Sequence, residues 1–264
     1  MNRAFWKGRR VFLTGHTGFK GSWLSLWLQE AGAQLTGYAL DPPTQPNLFA
    51  DAAVGGGMRS IIADVRNAEE LHRAMAGSAP EVVLHLAAQS VVRTSYDQPV
   101  ETFDTNVMGT VHLLEAVRSI GSVRSVVIVT SDKCYENREW LWPYREDEPL
   151  GGHDPYSSSK ACAELVTSAY RRSLFHESNA HGQRVGIGTA RAGNVLGGGD
   201  WTCDQLVPDI MRGFLANRAV DIRRPQAVRP WQFVMEPLNG YLILAERLWQ
   251  DAQACGEAWN FGPS

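Results

Sequence analysis

Three glycines spaced three residues apart stand near the start of the chain, directly after an apolar run. Gly15, Gly18 and Gly21 belong to the stretch GHTGFKG, which follows VFLT. Glycine permits a tight turn and a close approach of the backbone, and the N-terminus of a following helix attracts phosphate. Because a strand at residues 10–14 and a helix at residues 19–31 are predicted on either side, we expect the loop to hold the pyrophosphate of a dinucleotide. Its first gap is one residue longer than in the G-x-G-x-x-G pattern, which leaves a simple tight turn as the alternative.

Short apolar runs alternate with longer amphipathic stretches through most of the chain. We predict strands at residues 10–14, 34–39, 58–63, 81–86, 125–130 and 185–190. We predict helices at residues 19–31, 68–76, 100–119 and 156–175, and a loop at residues 41–57. Strands that are apolar on both faces and separated by helices are typical of an α/β fold with a parallel, doubly wound sheet of the Rossmann type.

After residue 192, loops and short elements dominate the predicted secondary structure. Helices are predicted there at residues 206–216 and 236–248, and short strands at residues 220–222 and 231–234. We therefore divide the chain into a dinucleotide-binding domain, residues 1–192, and a smaller substrate-binding region, residues 193–264. Residues 259–264 read as a strand entering a turn, and because a domain rarely stops there, we expect the substrate region to be incomplete.

Charge and composition exclude several classes of function. The 264 residues carry a net charge of −3 with a pI near 6.2, whereas a surface that binds nucleic acid needs an excess of basic residues. No apolar run approaches the roughly 18 residues of a membrane helix. The four cysteines show no paired spacing. We therefore expect neither disulfides nor a metal site, and we expect a cytoplasmic protein.

Two aspartates follow predicted strands at the edge where a dinucleotide would lie. Asp41 comes 20 residues after Gly21, as expected of the acid that holds the adenosine ribose, and an acid there favours NAD over NADP. Asp64 ends the third strand and can accept a hydrogen bond from the adenine amine. The alternatives are that Asp41 is a loop aspartate before a Pro-Pro turn and that Asp64 is a helix cap. Small residues at 86–89, after the fourth strand, let a cofactor lie against the backbone, or simply pack tightly.

A tyrosine and a lysine four residues apart open the predicted helix at residues 156–175. At this spacing Tyr156 and Lys160 share one face of the helix, and we expect the ammonium to lower the pKa of the tyrosine from its usual value of about 10. Such a tyrosine can take the proton of a sugar hydroxyl while hydride leaves the same carbon. After the fifth strand, Ser131 can share that proton, and Asp132 and Lys133 can act as proton donor and acceptor. A solvated Asp-Lys pair and a chance helical Tyr-Lys pair are the alternatives.

Several stretches together resemble the extended short-chain dehydrogenase/reductases that act on nucleotide sugars, whose glycine loop has the same longer first gap. Within this family the chain is most similar to the branch that dehydrates CDP-glucose. The stretches that carry the resemblance are GHTGFKGSWLSLWL (15–28), LHLAAQSVVRTSY (84–96), TSDKCYEN (130–137), DPYSSSKACAE (154–164), RAGNVLGGGDW (191–201) and RPWQFVMEPLNGYL (229–242). They extend over nearly the whole chain.

The resemblance implies that the chain removes water from CDP-glucose with an NAD that stays bound and is regenerated. Tyr156, assisted by Ser131 and Lys160, would take the proton of the carbon-4 hydroxyl while carbon 4 gives hydride to NAD. Lys133 would remove the carbon-5 proton, Asp132 would protonate the leaving carbon-6 hydroxyl, and hydride would return to carbon 6. The resemblance also implies a homodimer or a dimer of dimers, joined through the helices near residues 100–119 and 156–175.

The resemblance further implies two sets of binding residues. Those for NAD are Gly15, Thr17, Gly18, Phe19, Lys20, Gly21, Asp41, Asp64, Val65, Leu86, Ala87, Ala88, Thr130, Tyr156 and Lys160. Those for the nucleotide sugar are Gln89, Ser90, Asn194, Trp201, Arg229 and Gln232. Arg229 is expected to pair with the diphosphate, because a guanidinium fork suits two oxygens. The side chains of His16 and Lys20 are expected to touch phosphate or to face water. Family members usually carry histidine where this chain has Phe233, which puts only the substrate-side strand in doubt.

Two other functions compete with dehydration. A nucleotide-sugar 4-epimerase on the same scaffold needs the tyrosine but not the pair Asp132-Lys133, so the pair favours a dehydratase. A non-catalytic NAD-binding protein is disfavoured, because a redundant site has no physical reason to keep Ser131, Tyr156 and Lys160 together.

Overall fold

The centre of the molecule is a parallel sheet of seven strands, in the order β3-β2-β1-β4-β5-β6-β9. A computed structural model describes residues 1–176 and 184–263. The strands of this sheet are β1 (Arg10–Thr14), β2 (Gln34–Ala39), β3 (Arg59–Ile62), β4 (Val82–His85), β5 (Ser125–Val129), β6 (Gly186–Ala192) and β9 (Ala258–Phe261). A separate parallel pair is formed by β7 (Val195–Leu196) and β8 (Gln232–Phe233). The order of the main sheet reverses between β1 and β4, so a crevice for ligands lies beyond the carboxyl ends of these two strands.

Helices connect the strands and cover the sheet. They are α1 (Arg3–Trp6), α2 (Phe19–Glu30), α3 (Leu48–Asp51), α4 (Ala68–Ser78), α5 (Val92–Asp97), α6 (Pro99–Phe103), α7 (Gly109–Ser119), α8 (Pro155–Ser173), α9 (Leu206–Leu215) and α10 (Met235–Gln250). Short 3-10 turns occur at Val54–Gly57 and Asp132–Cys134, and a π-helical turn at Asp104–Met108 joins α6 to α7. Within the described ranges, no helix is long and apolar enough to cross a membrane.

The sheet is apolar on both faces because each face carries a layer of helices. On β1, Val11 and Leu13 belong to a core with residues of α2 and α10. Phe12, between them, belongs to the core on the opposite face with residues of α4 and α7. All three side chains are buried. Burial on both sides is the reason that these strands read as continuous apolar runs in the sequence.

The predicted Rossmann-type fold is confirmed, and the six predicted strands of the sheet form within two residues of their expected ends. The strand predicted at residues 220–222 is wrong, because this segment has no strand to pair with and is irregular. Val220 packs instead beside Gly213 of α9, which accounts for its apolar character. The loop predicted at residues 41–57 contains α3, which Asn47 caps by accepting a hydrogen bond from the backbone N–H of Ala50.

Elements from the second part of the chain return to the main sheet. The strand predicted near residue 259 forms as β9 and pairs with β6, with Ala258 opposite Thr189. On α10, the carbonyl of Ala245 accepts a 2.8 Å hydrogen bond from the hydroxyl of Ser125 on β5. Ser264, the end of the predicted turn, lies outside the described residues. The division of the chain at residue 192 stays a prediction.

A buried ion pair joins α8 to β6 beneath the carboxyl end of the sheet. Glu164 and Arg191 lie 2.9 Å apart with side chains only 3% and 4% exposed. The carboxylate also accepts hydrogen bonds from the hydroxyls of Thr130 and Thr189. Because a buried carboxylate is costly unless it is paired and hydrogen-bonded, these contacts fix where the end of β5 lies relative to α8.

Replacing Glu164 with alanine should strongly destabilise the fold. The Glu164→Ala change leaves the Arg191 guanidinium buried without its counter-charge, which costs about 3–5 kcal/mol in the free energy of unfolding. The matched control is Glu115→Ala, which removes the partner of Arg118 in a pair on the surface and should change stability little. Urea denaturation of both variants measures the difference. Equal losses in the two variants would contradict this account of the buried pair.

Candidate active site

The glycine loop is a close-packed turn at the end of β1. Gly15 has a φ of +78°, and a Cβ there would lie 2.7 Å from the backbone nitrogen of Ala87. A Cβ on Gly21 would overlap the carbonyl oxygen of Gly15. The longer first gap is taken up by a hydrogen bond of 3.2 Å from the backbone N–H of Gly18 to the same carbonyl. The loop is therefore shaped by its glycines, and the extra residue is part of that shape.

The loop fits the pyrophosphate of a dinucleotide. Gly18 is the N-cap of α2 and has no side chain to occupy the space in front of the helix, where a Cβ would meet only the Gly15 carbonyl at 3.5 Å. The first N–H groups of an α-helix have no partner within the helix and face outward with the positive end of the dipole. The backbone of Ala87, after β4, packs directly against Gly15. These features support the pyrophosphate site that the sequence predicts.

A chain of buried hydrogen bonds supports this loop from behind. The hydroxyl of Thr14 accepts from the backbone N–H groups of Leu86 and Ala87, at 3.1 Å each, so its own proton goes to Nδ1 of His85 at 2.7 Å. Burial, together with the charge of Lys160, lowers the pKa of His85 to about 3, which keeps the ring neutral. The ends of β1 and β4 are thus held together by a hydroxyl and an uncharged imidazole.

The two aspartates that the sequence proposes for the adenosine end have different surroundings. Asp41 is exposed beyond β2, where the Thr17 hydroxyl donates to the carbonyl of Leu40 at 2.8 Å. Both carboxylate oxygens of Asp64 bind Arg66. Burial alone would raise the pKa of the Asp64 carboxyl, but the hydrogen bonds and charge of Arg66 lower it overall. The helix cap of α4 is another residue, Asn67, so that alternative for Asp64 is wrong. The adenosine roles of both aspartates stay predictions.

The predicted catalytic groups of β5 and α8 meet at one edge of the sheet. Asp154 caps α8 by accepting from the backbone N–H of Ser157 at 2.9 Å, which fixes the first turn with Tyr156. Ser131 caps the short turn after β5: its hydroxyl accepts from the backbone N–H of Lys133 at 3.2 Å and donates to Asp132 at 3.1 Å. The cap by Ser131 thus holds its own hydroxyl close to the Asp132 carboxylate and to the turn that carries Lys133.

The expected lowering of the Tyr156 pKa is wrong for the protein alone. Burial raises the pKa of Tyr156 to about 12, although a hydrogen-bonding interaction with Ser131 acts in the opposite direction. Lys160 is equally enclosed: burial, and then the charge of Lys20, lower its pKa to about 8. Its amine lies 3.4 Å from the carbonyl of Val129. The cost of removing the phenolate from water therefore sets the direction of this shift, and sequence spacing does not reveal it.

The Asp132-Lys133 pair lies where the second part of the chain covers the sheet edge. The amine of Lys133 is 3.6 Å from the Asp132 carboxylate, and both side chains are about one third exposed, at 38% and 32%. A Cβ on Gly193 would lie 3.2 Å from the Asp132 carboxylate and 2.5 Å from the ring of Pro230. Glycine at position 193 therefore lets the segment around residue 230 approach the pair. The structure therefore brings Asp132 and Lys133 together at this edge of the sheet, beside Gly193.

Among the residues proposed for the nucleotide sugar, Asn194 has a buried polar atom that no described protein group satisfies. Its side-chain oxygen is buried and has no hydrogen-bond partner in the described part of the chain. Its backbone carbonyl is fixed by the N–H of Gln232 at 3.0 Å. The Gln232 amide, in turn, donates to the carbonyl of Phe261 at 2.8 Å. A buried acceptor without a donor is costly, so Asn194 is a suitable place for a ligand group to donate a hydrogen bond.

The other proposed substrate residues are not all free to bind a ligand. The Gln89 amide donates to Thr102 and accepts from the backbone N–H of Val91, so both of its ends are used within the protein. Ser90 and Arg229 are exposed, and Trp201 is half-buried. The guanidinium of Arg229 donates to its own neighbour in the chain. The substrate roles of these residues stay predictions.

Sequence reasoning missed Tyr241, which lies beside Lys20. The Lys20 ammonium lies 5.9 Å from the ring of Tyr241 and interacts electrostatically with Asp132, so the side chain does not simply face water. Tyr241 is fully buried, and its hydroxyl has no hydrogen-bond partner among the described residues. The His16 side chain is buried, with Nε2 2.7 Å from the Ser60 hydroxyl, so it does not face water. No local signal marks Tyr241, which lies on α10, far along the chain from the loop.

Comparison with known proteins places these features in a family. The family model described as GDP-mannose 4,6 dehydratase matches residues 12–179. A curated CDP-glucose 4,6-dehydratase from Salmonella typhimurium is 57% identical over 263 residues, which cover the whole chain and 73% of that protein. A UDP-glucose 4-epimerase from Mycolicibacterium smegmatis is 35% identical over 163 residues, or 61% of this chain and 51% of that protein.

A solved structure agrees on the fold. The dTDP-glucose 4,6-dehydratase from Streptomyces venezuelae, solved with NAD and TYD bound, superimposes with a TM-score of 0.81 at 24% identity, over 97% of this chain and 76% of that one. At this identity the likeness supports the architecture alone. The family follows from the match to residues 12–179 and from the relative that is 57% identical along the whole chain. The chain therefore belongs to the GDP-mannose 4,6 dehydratase family.

Proposed function

We propose that this chain catalyses the NAD-dependent dehydration of CDP-glucose to CDP-4-keto-6-deoxyglucose, as a hydro-lyase. The observation that carries the proposal is the meeting of Ser131, Asp132 and Lys133, after β5, with Tyr156 and Lys160 at the start of α8. An epimerase has no use for an acid and an amine side by side at this edge. The curated dehydratase of Salmonella typhimurium, 57% identical, supports the choice of substrate.

The glycine loop would hold the cofactor beside these groups. We assign the pyrophosphate to the loop of Gly15, Gly18 and Gly21 and to the N-terminus of α2. The part of the cofactor beyond the pyrophosphate would lie against the backbone of residues 86–88. Bound NAD supplies a hydride acceptor that returns the hydride to the same sugar, so no external oxidant or reductant is needed. The chain's task is therefore to move protons at three carbons in turn.

Tyr156 is the group that removes the proton of the carbon-4 hydroxyl. Its phenol is fully enclosed, and burial makes the phenolate costly in the protein alone. An enclosed phenolate is a strong base, and a positive charge near it stabilises that form. Ser131, which interacts with the phenol, can hold the same substrate hydroxyl. Lys160 lies on the same face of α8, where its charge would stabilise the phenolate.

Asp132 and Lys133 carry out the elimination across carbons 5 and 6. Once carbon 4 is a ketone, the proton on carbon 5 becomes acidic, and a neutral Lys133 amine can take it. Asp132 gives a proton to the hydroxyl on carbon 6, which leaves as water. The two groups lie 3.6 Å apart, so they can reach adjacent carbons of one bound sugar.

We also propose a homodimer in which α6 to α8 meet the same helices of a second copy. Apolar side chains are exposed along these helices: Val100 is 73% exposed, Leu165 58% and Met108 43%. Exposed apolar patches of this kind usually mark an interface.

We also propose a cytoplasmic location. The four cysteines, all free thiols, fit it.

Incubation with CDP-glucose tests the proposed reaction directly. We expect a 4-keto product that has lost its carbon-6 oxygen and carries at carbon 6 the hydrogen that was on carbon 4, because the hydride is returned internally. Mass spectrometry of product from substrate deuterated at carbon 4 measures both features. A product that keeps its carbon-6 oxygen but is inverted at carbon 4 would show an epimerase. Bound NAD without turnover of any nucleotide sugar would show a non-catalytic protein.

Replacing Lys133 with methionine should separate the two halves of the reaction. In Lys133→Met we expect oxidation at carbon 4 to persist while loss of water slows by roughly 10²–10⁴-fold, since only the base at carbon 5 is removed. The absorbance of the reduced cofactor and the mass of the sugar nucleotide report the two steps. The control is Lys7→Met, which changes an exposed lysine far from the cleft. Dehydration at the normal rate in Lys133→Met would show that another group is the base.

A further inference from the structure

The acid and the amine after β5 lie on a turn that is too short to hold itself in place. Asp132 and Lys133 belong to a 3-10 turn of three residues, Asp132–Cys134. Ser131 caps its start by accepting a hydrogen bond of 3.2 Å from the backbone N–H of Lys133. A single 3-10 turn has few hydrogen bonds of its own, and their geometry is poor. Contacts at its other end are therefore needed to fix where the carboxylate and the amine lie.

Tyr135 closes that other end. It is the C-cap of the turn and is only 4% exposed. The backbone on either side of it is also held, because the Cys134 carbonyl accepts from the N–H of Gly151 at 2.9 Å. The N–H of Glu136 donates to the carbonyl of Pro149 at 2.9 Å. The side chain of Tyr135 is thus enclosed directly beside the two groups that we assign to elimination.

The Tyr135 hydroxyl makes two hydrogen bonds whose directions are fixed by chemistry. Nη1 of Arg191 donates to it at 2.8 Å, and the hydroxyl donates to Oδ1 of Asn260 at 2.7 Å. A guanidinium can only donate and an amide oxygen can only accept. The amide nitrogen of Asn260 donates to the carbonyl of Tyr144 at 2.9 Å, which agrees with this orientation of the amide. Burial raises the pKa of Tyr135, so the phenol keeps the proton that the second bond needs.

Both partners of the hydroxyl lie at the ends of strands in the main sheet. Arg191, on β6, is already fixed by its buried ion pair with Glu164, and it donates to the carbonyl of Glu146 at 3.0 Å. Asn260, on β9, is fixed by a hydrogen bond of 2.9 Å from its backbone N–H to the Glu146 carboxylate. One hydroxyl therefore ties the Asp132–Cys134 turn to β6 and β9 together.

We propose that Tyr135 is a positioning residue for the elimination of water. Its hydroxyl fixes the turn that carries Asp132 and Lys133, and it touches neither the sugar nor the cofactor. The inference rests on the proposed dehydration, in which the acid and the amine act on adjacent carbons and must both be in place. Oxidation at carbon 4 depends instead on Tyr156, which α8 carries, so the two steps should respond differently to loss of the hydroxyl.

The change Tyr135→Phe removes the hydroxyl and keeps the ring. In a single turnover of CDP-glucose we expect carbon 4 to be oxidised at the wild-type rate. Loss of water should slow by roughly 10- to 10²-fold, because a small misplacement of reacting groups costs up to that much. The absorbance of the reduced cofactor, which should then persist, and the mass of the sugar nucleotide follow the two steps.

The matched control is Tyr144→Phe. The ring of Tyr144 stacks on that of Tyr135, with centroids 5.1 Å apart, so both variants alter the same aromatic pair. The Tyr144 hydroxyl, however, binds Asn137 and the backbone N–H of Arg138 in the exposed loop. Both steps should therefore proceed as in the wild type. An equal loss in the two variants would overturn the inference, because the cause would then be the packing of the rings.

The change Asn260→Ala tests the same contact from β9. It should also slow loss of water while sparing oxidation at carbon 4. The double variant Tyr135→Phe/Asn260→Ala should be about as slow as the slower of the two single variants, because both changes remove one hydrogen bond. Losses that multiply in the double variant would show that the two residues act separately, and would overturn the proposed tie.

Hydrogen exchange tests the hold on the turn without any turnover. In Tyr135→Phe the backbone amides of residues 132–136 should exchange roughly two- to tenfold faster, the effect of one lost hydrogen bond, and in Tyr144→Phe they should not. Mass spectrometry of the whole chain after digestion measures this. Unchanged exchange, or equal slowing of both chemical steps in Tyr135→Phe, would overturn the inference. Faster exchange in a protein whose wild type does not oxidise CDP-glucose would refute the proposed function and leave the hold on the turn standing.

Discussion

The close contact between the backbone of Gly15 and that of Ala87 determines the geometry of the whole ligand-binding edge. It brings the ends of β1 and β4 together at the point where the sheet order reverses, and Thr14 and His85 hold it with hydrogen bonds. Had either strand end been displaced, the N-terminus of α2 would no longer face the crevice. A neutral histidine suits this position, because an imidazolium there would lie in the same enclosed space as the Lys160 amine.

The same hydrogen bonds continue toward α8. Nε2 of His85 lies 3.4 Å from the hydroxyl of Thr110, which donates to the carbonyl of Asn106 in the π-helical turn. The Asn106 amide donates to the Ser159 hydroxyl, which in turn donates to the carbonyl of Tyr156. The glycine loop and Tyr156 are therefore connected by one buried polar path. A π turn often occurs at a functional site, and here it supplies the amide that bridges α7 and α8.

The sequence predicts those features of the site that neighbouring residues determine, and it does not predict those that depend on distant parts of the chain. The glycine loop and the alternation of strands and helices follow from neighbouring residues, and they form as expected. The direction of the Tyr156 pKa shift does not, because it depends on burial by several distant segments. Lys20 meets Tyr241 only because α2 and α10 cover the same face of the sheet. Asn194, by contrast, was expected to meet the sugar, and its unpaired buried oxygen fits that expectation.

The position of the Ser131 hydroxyl has a consequence for the proton balance of the proposed reaction. Tyr156 keeps the proton of the carbon-4 hydroxyl, because the product is a ketone, while Asp132 loses a proton to the departing water. Lys133 returns to carbon 5 the proton that it takes. Each turnover therefore leaves a surplus proton on the phenol and a deficit on the carboxylate. Ser131 interacts with the first group and donates to the second at 3.1 Å, so a single hydroxyl can restore the balance without exchange with solvent.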